Sequence, residues 1–194
     1  MGQQHDDLPV AARVRQLEER LIAAGLATDE ELDAVLTRLY TRASPVNGAR
    51  MVARGWTDPG YRERLLADGN AAAAELGLGD LVSSYRLKVV ANEPGRHNMI
   101  VCTLCSCYPV SLLGPSPGWY KSLAYRSRAG REPRAVLAEF GLRLPPGTEI
   151  AVWDASAESR YLVLPDRPGQ AADLPEAELA ALVTLGGLIG TAAV

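Results

Sequence analysis

Val101-Cys102-Thr103-Leu104-Cys105-Ser106-Cys107-Tyr108-Pro109 holds every cysteine of the chain, and the rest of the sequence reads as support for it. The spacing Cys-x-x-Cys-x-Cys packs three sulfurs into residues 102–107, close enough to wrap one ion. A structural zinc site is closed by four protein ligands, and iron–sulfur clusters take four cysteines. Cysteine alone cannot supply either here. Of the two histidines, His5 falls in a polar terminal stretch, and His97 precedes the loop on an expected strand that would have to fold back to deliver it. His97 is therefore expected to be structural. A three-sulfur claw remains, its other ligands to come from backbone, water or a partner chain. A trivalent ion of high charge density can recruit deprotonated amides, and those of Ser106 and Cys107 lie beside the last two sulfurs.

Other uses of three clustered thiols fit less well. A disulfide leaves one sulfur unpaired, and no secretory signal is read ahead of the cluster. A thioredoxin-like pair, Cys102 and Cys105, has to account for Cys107 and start a helix that Tyr108-Pro109 cuts short. Inert buried thiols have no reason to cluster.

Upstream of the claw, residues 97–101 read as a strand that ends on it. Residues 84–92 read as another, with Glu93-Pro94-Gly95 turning between them. Three short helices precede these: residues 49–55, a second capped by Thr57-Asp58-Pro59 with Leu65 and Leu66 on its face, and residues 70–76, stopped by Gly77-Leu78-Gly79. Ser44-Pro45-Val46-Asn47-Gly48 is the clearest break, and it separates an arm, residues 1–47, from a core, residues 48–194. In the arm, Val10, Val14, Leu17 and Leu21 recur at helical spacing. Thr28 and Glu31 form a capping box before a second stripe of Leu32, Val35, Leu36 and Leu39. Such a pair of helices either folds onto its own core or faces a partner.

Downstream, residues 112–118 are rich in Gly and Pro and read as a constrained loop, with Trp119-Tyr120 as an aromatic anchor. Lys121, Arg126, Arg128, Arg131 and Arg134 then outnumber one acid, Glu132. Three thiolates and two amidates around a trivalent ion carry about −2, which a partly buried site tolerates only beside positive charge. Some of these cations are therefore expected at the cluster and others at a subunit interface. Pro133 begins a helix to Phe140 that Gly141 closes. Residues 149–154 and 159–165 are strands joined by Ala155-Ser156-Ala157-Glu158, a loop compatible with a hairpin. A last helix, capped by Asp173, turns Leu179, Leu182 and Val183 inward, and Gly186, Gly187 and Gly190 loosen the C-terminal end. The expected fold class is α+β, helices flanking strands.

At 194 residues and 47% hydrophobic, the chain can bury a core of one domain plus an arm. A net charge of −3 argues against a general nucleic-acid partner, and no run is long and apolar enough for a membrane span. The polar stretch of residues 1–7 lacks the apolar centre of a signal peptide, so a cytoplasmic protein is expected.

The nine residues from Val101 resemble the metal-binding motif of nitrile hydratase alpha subunits. The likeness continues through Gly118-Trp119-Tyr120-Lys121, Ala124-Tyr125-Arg126-Ser127-Arg128, Arg131-Glu132-Pro133-Arg134, Val152-Trp153-Asp154 and Val163-Leu164-Pro165. It reaches back to Trp56-Thr57-Asp58-Pro59 and Ala67-Asp68-Gly69. The resemblance implies a layered α+β core with an N-terminal arm that embraces a beta-type partner subunit, made as one chain or as two. It implies a metal held by Cys102 as axial thiolate, Cys105 as sulfinate and Cys107 as sulfenate, with main-chain nitrogens of Ser106 and Cys107. Cys105 and Cys107 are the catalytic candidates. Thr103 and Tyr108 match the cobalt members, which implies low-spin Co(III) rather than iron, and a metallochaperone to load it. The implied reaction is hydration of a small-molecule nitrile to an amide.

Members of that family commonly read Tyr-Pro-Trp-Pro where this chain reads Tyr108-Pro109-Val110-Ser111. Loss of the aromatic at Val110 implies a roomier pocket and a bulky heteroaromatic nitrile, of which the nucleoside nitrile toyocamycin is an example. The related alternative is a thiocyanate hydrolase gamma-like subunit, against which the apolar Val110 argues. The alternative of another kind is a metal carrier or redox sensor without catalysis.

Overall fold

The computed structural model describes residues 9–171 and 173–194. His5 and the other terminal residues lie outside the described residues, as does the side chain of Leu39. The chain divides into two compact units, Met1–Thr41 and Arg42–Val194.

Two helices run through the first unit, α1 (Val10–Ala23) and α2 (Asp29–Arg42), the latter ending one residue into the second. The capping box forms at the start of α2. Thr28 N–H donates to Glu31 Oε2 at 3.0 Å and Glu31 N–H donates to Thr28 Oγ1 at 3.2 Å, satisfying two helix-end donors. Much of the stripe on α1 is exposed: Val10 is 72% exposed, Val14 and Leu17 57%.

The second unit contains α3 (Pro45–Thr57), α4 (Pro59–Ala67), α5 (Gly69–Glu75), β1 (Arg86–Ala91), β2 (Arg96–Val101), α6 (Val110–Leu113), α7 (Leu123–Arg128), α8 (Pro133–Glu139), β3 (Glu149–Asp154), β4 (Ser159–Leu164), α9 (Glu176–Leu182) and α10 (Leu185–Ile189). Strands β1 and β4 pair in parallel, as do β2 and β3. Helices α4 and α5 pack on β1, α10 on β4 and α8 on β3. The strands thus lie between helical layers, around a core that includes Met51, Leu65, Leu87, Met99, Leu162 and Leu164. No helix among the described residues is long and apolar enough to cross a membrane.

Several local expectations change in three dimensions. The break at residues 44–48 does not interrupt α3: Ser44 caps it, accepting from Val46 N–H, and Pro45 occupies the first turn, where no N–H is needed. Gly48 sits inside the helix because a Cβ there would come within 2.6 Å of Leu113 and 2.9 Å of Leu188. Strands β3 and β4 form no hairpin. The short loop carries the chain between sheets, because each strand finds a parallel partner in β2 or β1. Leu112 and Leu113, expected to open the loop of residues 112–118, instead end α6, which is tied to the start of α3 by Ser44 N–H and Asn47 Nδ2, both donating to Leu112 O. Asp173 caps nothing: α9 begins after Pro175 without a side-chain cap. Leu179 and Val183 are buried as expected, but Leu182 is 40% exposed. Gly186 and Gly187 lie within α10, and the left-handed Gly190 (φ 85) ends it.

Candidate metal centre

Strands β2 and β3 run parallel and finish in register, Val101 opposite Asp154, so the claw emerges beside the end of a second strand. Asp154 uses that position to hold Thr103. Its Oδ1 accepts from Thr103 N–H at 2.9 Å and its Oδ2 from the hydroxyl at 2.6 Å. Arg126 on α7 secures the same turn from the other side, donating to the carbonyls of Cys102 (3.1 Å), Thr103 (2.9 Å) and Leu104 (2.5 Å).

Beneath the loop lies a cluster of rings. Tyr120 is fully buried and donates to Cys107 O at 2.9 Å, while Tyr125 donates to Ile100 O at 2.5 Å. Tyr108 meets Tyr120 edge to face at 5.3 Å, and Trp119 packs against Tyr125 at 4.9 Å and Phe140 at 4.6 Å. Edge-to-face pairs of this kind add stability beyond their buried area. The hydroxyls then fix the backbone on both sides of the three sulfurs.

Those sulfurs lie within 4.8 Å of one another. Cys102 Sγ and Cys105 Sγ are 3.4 Å apart, Cys105 Sγ and Cys107 Sγ 2.8 Å. Cys102 is buried, Cys107 half-buried and Cys105 exposed, so the group faces outward from a buried root. Ser106 has φ 72, the one positive φ outside glycine among the described residues. A left-handed conformation costs a non-glycine residue about 1–2 kcal/mol. Here it turns Cys105 and Cys107 toward a common point. The Ser106 amide N–H meets no acceptor among the described residues, which leaves that nitrogen available as a donor to an ion.

Burial opposes ionisation of Cys102, yet the N–H groups of Cys105, Cys107 and Leu104 outweigh it and bring the thiol down to about 7. Burial, then the contact with Cys105, pushes Cys107 up to about 12, with Arg160 pulling the other way.

His97 is not near this group. It is 6% exposed, its Nε2 is 2.7 Å from Gly190 O and its Nδ1 3.2 Å from Asn92 Nδ2, so it clasps β2 to the end of α10. Val110, 36% exposed, opens α6 immediately after Pro109. The basic run divides by partner. Arg126 grips the claw, through carbonyls rather than sulfurs. Arg128 pairs with Glu132 and Glu139, and Arg134 donates to the carbonyls of Leu144, Pro145 and Thr148. Asp154 and Tyr120 stand inside the matched motifs, but nothing local in the sequence shows that they reach the loop.

Three thiols converging on a strained turn, with a free amide between two of them, form a donor set for a single thiophilic ion on an α+β core. The chain belongs to the nitrile hydratase alpha chain family, whose model, "Nitrile hydratase, alpha chain", matches residues 8–192. It is 46% identical over 181 residues to the low-molecular weight cobalt-containing nitrile hydratase subunit alpha of Rhodococcus rhodochrous, covering 93% of this chain and 87% of that one. It is 39% identical over 186 residues to the thiocyanate hydrolase subunit gamma of Thiobacillus thioparus, covering 91% and 76%. A solved double mutant of the Fe-type nitrile hydratase from Comamonas testosteroni superposes with a TM-score of 0.87 at 40% identity, covering 96% of this chain and 92% of that one.

Proposed function

We propose that this chain is the metal-carrying catalytic subunit of a nitrile hydratase, adding water to a nitrile to give an amide, and that it works with a beta-type partner. The observation that carries the proposal is the convergence of Cys102, Cys105 and Cys107 within 4.8 Å around the left-handed Ser106. The donor chemistry fits one small trivalent ion, with sulfur from the three cysteines and nitrogen from the amides of Ser106 and Cys107. Low-spin Co(III) is the proposed metal, supported by the cobalt-containing relative and by Thr103 and Tyr108. A metallochaperone is the proposed route of loading.

When bound, the ion supplies Lewis-acid polarisation of the nitrile nitrogen or of a water. The chain's residues do the rest. Cys102 anchors the group from its buried side as a thiolate. Cys105 as sulfinate and Cys107 as sulfenate would lower the donor strength of two sulfurs, and the sulfenate oxygen would supply a nucleophile or base. Asp154, Arg126 and Tyr120 hold the loop so that these atoms keep their spacing. Val110 borders the space a substrate enters. A Trp contributes roughly 150–250 Å² of contact area, so Val at this position supports a bulky heteroaromatic nitrile as substrate.

The thiocyanate hydrolase reading is supported by the gamma-subunit relative, but the apolar Val110 offers nothing to an anion. The test is to produce the chain with a beta-type partner in the presence of cobalt and iron, then measure metal, intact mass and turnover. The expected result is stoichiometric cobalt, oxygen added at two cysteines and amide formed from nitriles. Turnover of thiocyanate instead, or cobalt binding without turnover of either, would replace the proposal with one of its alternatives. The isolated chain is expected to bind metal and hydrate nitriles poorly.

A further inference from the structure

The claw runs directly into α6, and a helix of four residues cannot fix its own position. It closes about one turn, too little to offset the entropy of nucleating a helix. Contacts on two flanks place it instead. On one, Ser44 N–H and Asn47 Nδ2 donate to Leu112 O at 3.1 and 2.9 Å, and the buried Leu112 and Leu113 root the turn in the core. On the other, Ser111 Oγ donates to Leu81 O at 2.6 Å. Tyr85 Oη donates to the same carbonyl at 3.1 Å and lies 3.4 Å from Ser111 Oγ, so two hydroxyls share one acceptor. The flanks are joined through Arg42. Its carbonyl accepts from Asn47 Nδ2 at 2.8 Å, and its guanidinium pairs with Asp80, the neighbour of Leu81. Helix α6 therefore sits in a closed ring of bonds that passes from residues 42–47 through 80–81 to 111–112.

Val110 and Ser111 are consecutive, so the bond that holds Ser111 also sets where Val110 stands. The pair occupies the positions at which the family commonly reads Trp-Pro, and proline has no side-chain donor. The tie to Leu81 thus belongs to the same departure that removes the aromatic. We propose that Ser111 is a positioning residue that sets substrate selectivity: by fastening α6 to the Leu81 carbonyl it keeps the Val110 side chain where a bulky heteroaromatic nitrile can pass it. The proposal rests on the reading of Val110 as a pocket residue. Ser111 itself touches neither metal nor substrate in this role, and its effect reaches the nitrile only through Val110. Without the tie, α6 samples positions in which Val110 intrudes on a large ring, whereas a small nitrile does not extend that far.

The experiment uses the cobalt-loaded complex with its beta-type partner, as wild type, Ser111→Ala, Ser111→Thr, Val110→Ala and the double variant of Val110→Ala with Ser111→Ala. Values of kcat and KM are measured for toyocamycin as the bulky nitrile and acrylonitrile as the small one, with cobalt per chain read in parallel. In Ser111→Ala the ratio of kcat/KM, bulky over small, is expected to fall about fivefold, as the loss of one hydrogen bond allows. The fall should lie in KM for the bulky nitrile, with kcat and cobalt held, because the chemistry at the metal is not touched. Ser111→Thr keeps the hydroxyl and should restore the ratio to within about twofold of wild type. With Val110 already cut back to alanine, the same change at Ser111 should move the ratio by less than about twofold, since the group it acts through is gone. An unchanged ratio in Ser111→Ala at full cobalt would overturn the proposal, and so would an equal fall in the Val110→Ala background. Loss of cobalt together with a fall in kcat for both nitriles would make Ser111 a structural support of the claw and overturn it as well. Should Val110→Trp leave the ratio unchanged, the pocket reading fails and this one with it. A response to Val110→Trp without one to Ser111→Ala refutes this one alone.

Discussion

Asp154 holds Thr103 by two hydrogen bonds, 2.9 Å from the backbone N–H and 2.6 Å from the hydroxyl, across 51 residues of sequence. The contact joins the end of β3 to the first residue after Cys102. It makes the claw part of the sheet rather than a loop hanging from it.

Asp154→Ala removes both acceptors and should release the turn. The side chains are exposed, so the loss of fold stability is about 1 kcal/mol. Metal retention should suffer more, because the spacing of the sulfurs is what the contact preserves. Asp154→Asn keeps one acceptor for the Thr103 N–H and should retain most of the cobalt. Metal analysis after dialysis against a chelator checks both, and equal retention in Asp154→Ala and wild type would show that the strand end does not govern the claw.

Arg126 donates to three successive carbonyls of the claw, a grip that a lysine cannot reproduce with one ammonium. Arg126→Ala is expected to lower stability by about 2 kcal/mol, or roughly 4–8 °C in Tm for a chain of this size. Arg126→Lys should recover less than half of that. Thermal unfolding of the metal-free chain reads the effect without interference from cobalt, and a Tm within a degree of wild type for both would refute it.

His97 bridges Asn92 and Gly190 in the core, far from the sulfurs. His97→Ala empties a buried site and leaves two polar groups unpaired, at a cost of about 3 kcal/mol. Cobalt content per folded chain should not change. Loss of metal in the folded fraction would overturn the structural reading of His97.

Val110→Trp refills the position at the start of α6. Mismatch in an apolar pocket changes discrimination by about 1–3 kcal/mol, or roughly 10–200-fold. The ratio of kcat/KM for a bulky heteroaromatic nitrile over acrylonitrile should fall by that factor, measured in the assembled complex. An unchanged ratio would mean that Val110 does not border the substrate.

Much of this protein was legible one residue at a time. The Cys-x-x-Cys-x-Cys spacing confines three sulfurs to one short loop, and the left-handed turn at Ser106 helps to gather them. Thr28 with Glu31, Asp58 before Pro59 and Gly141 after Phe140 mark helix ends by contacts that close within a few residues. The same locality misled the reading elsewhere. Asp173 looks like a cap, but a cap must also sit directly before the first turn, and α9 starts after Pro175. Residues 155–158 have hairpin length, but strand pairing is decided by which edges are free. β2 and β1 offered parallel edges that no local pattern announces. The basic run predicted charge near the metal without saying which arginine. Only the folded chain brings Arg126 onto the claw carbonyls and sends Arg128 to Glu139. Sequence determined the donor atoms because their spacing is covalent. Tertiary structure decided their support, because Asp154, Tyr120 and Arg126 reach the loop across distances that only packing can close.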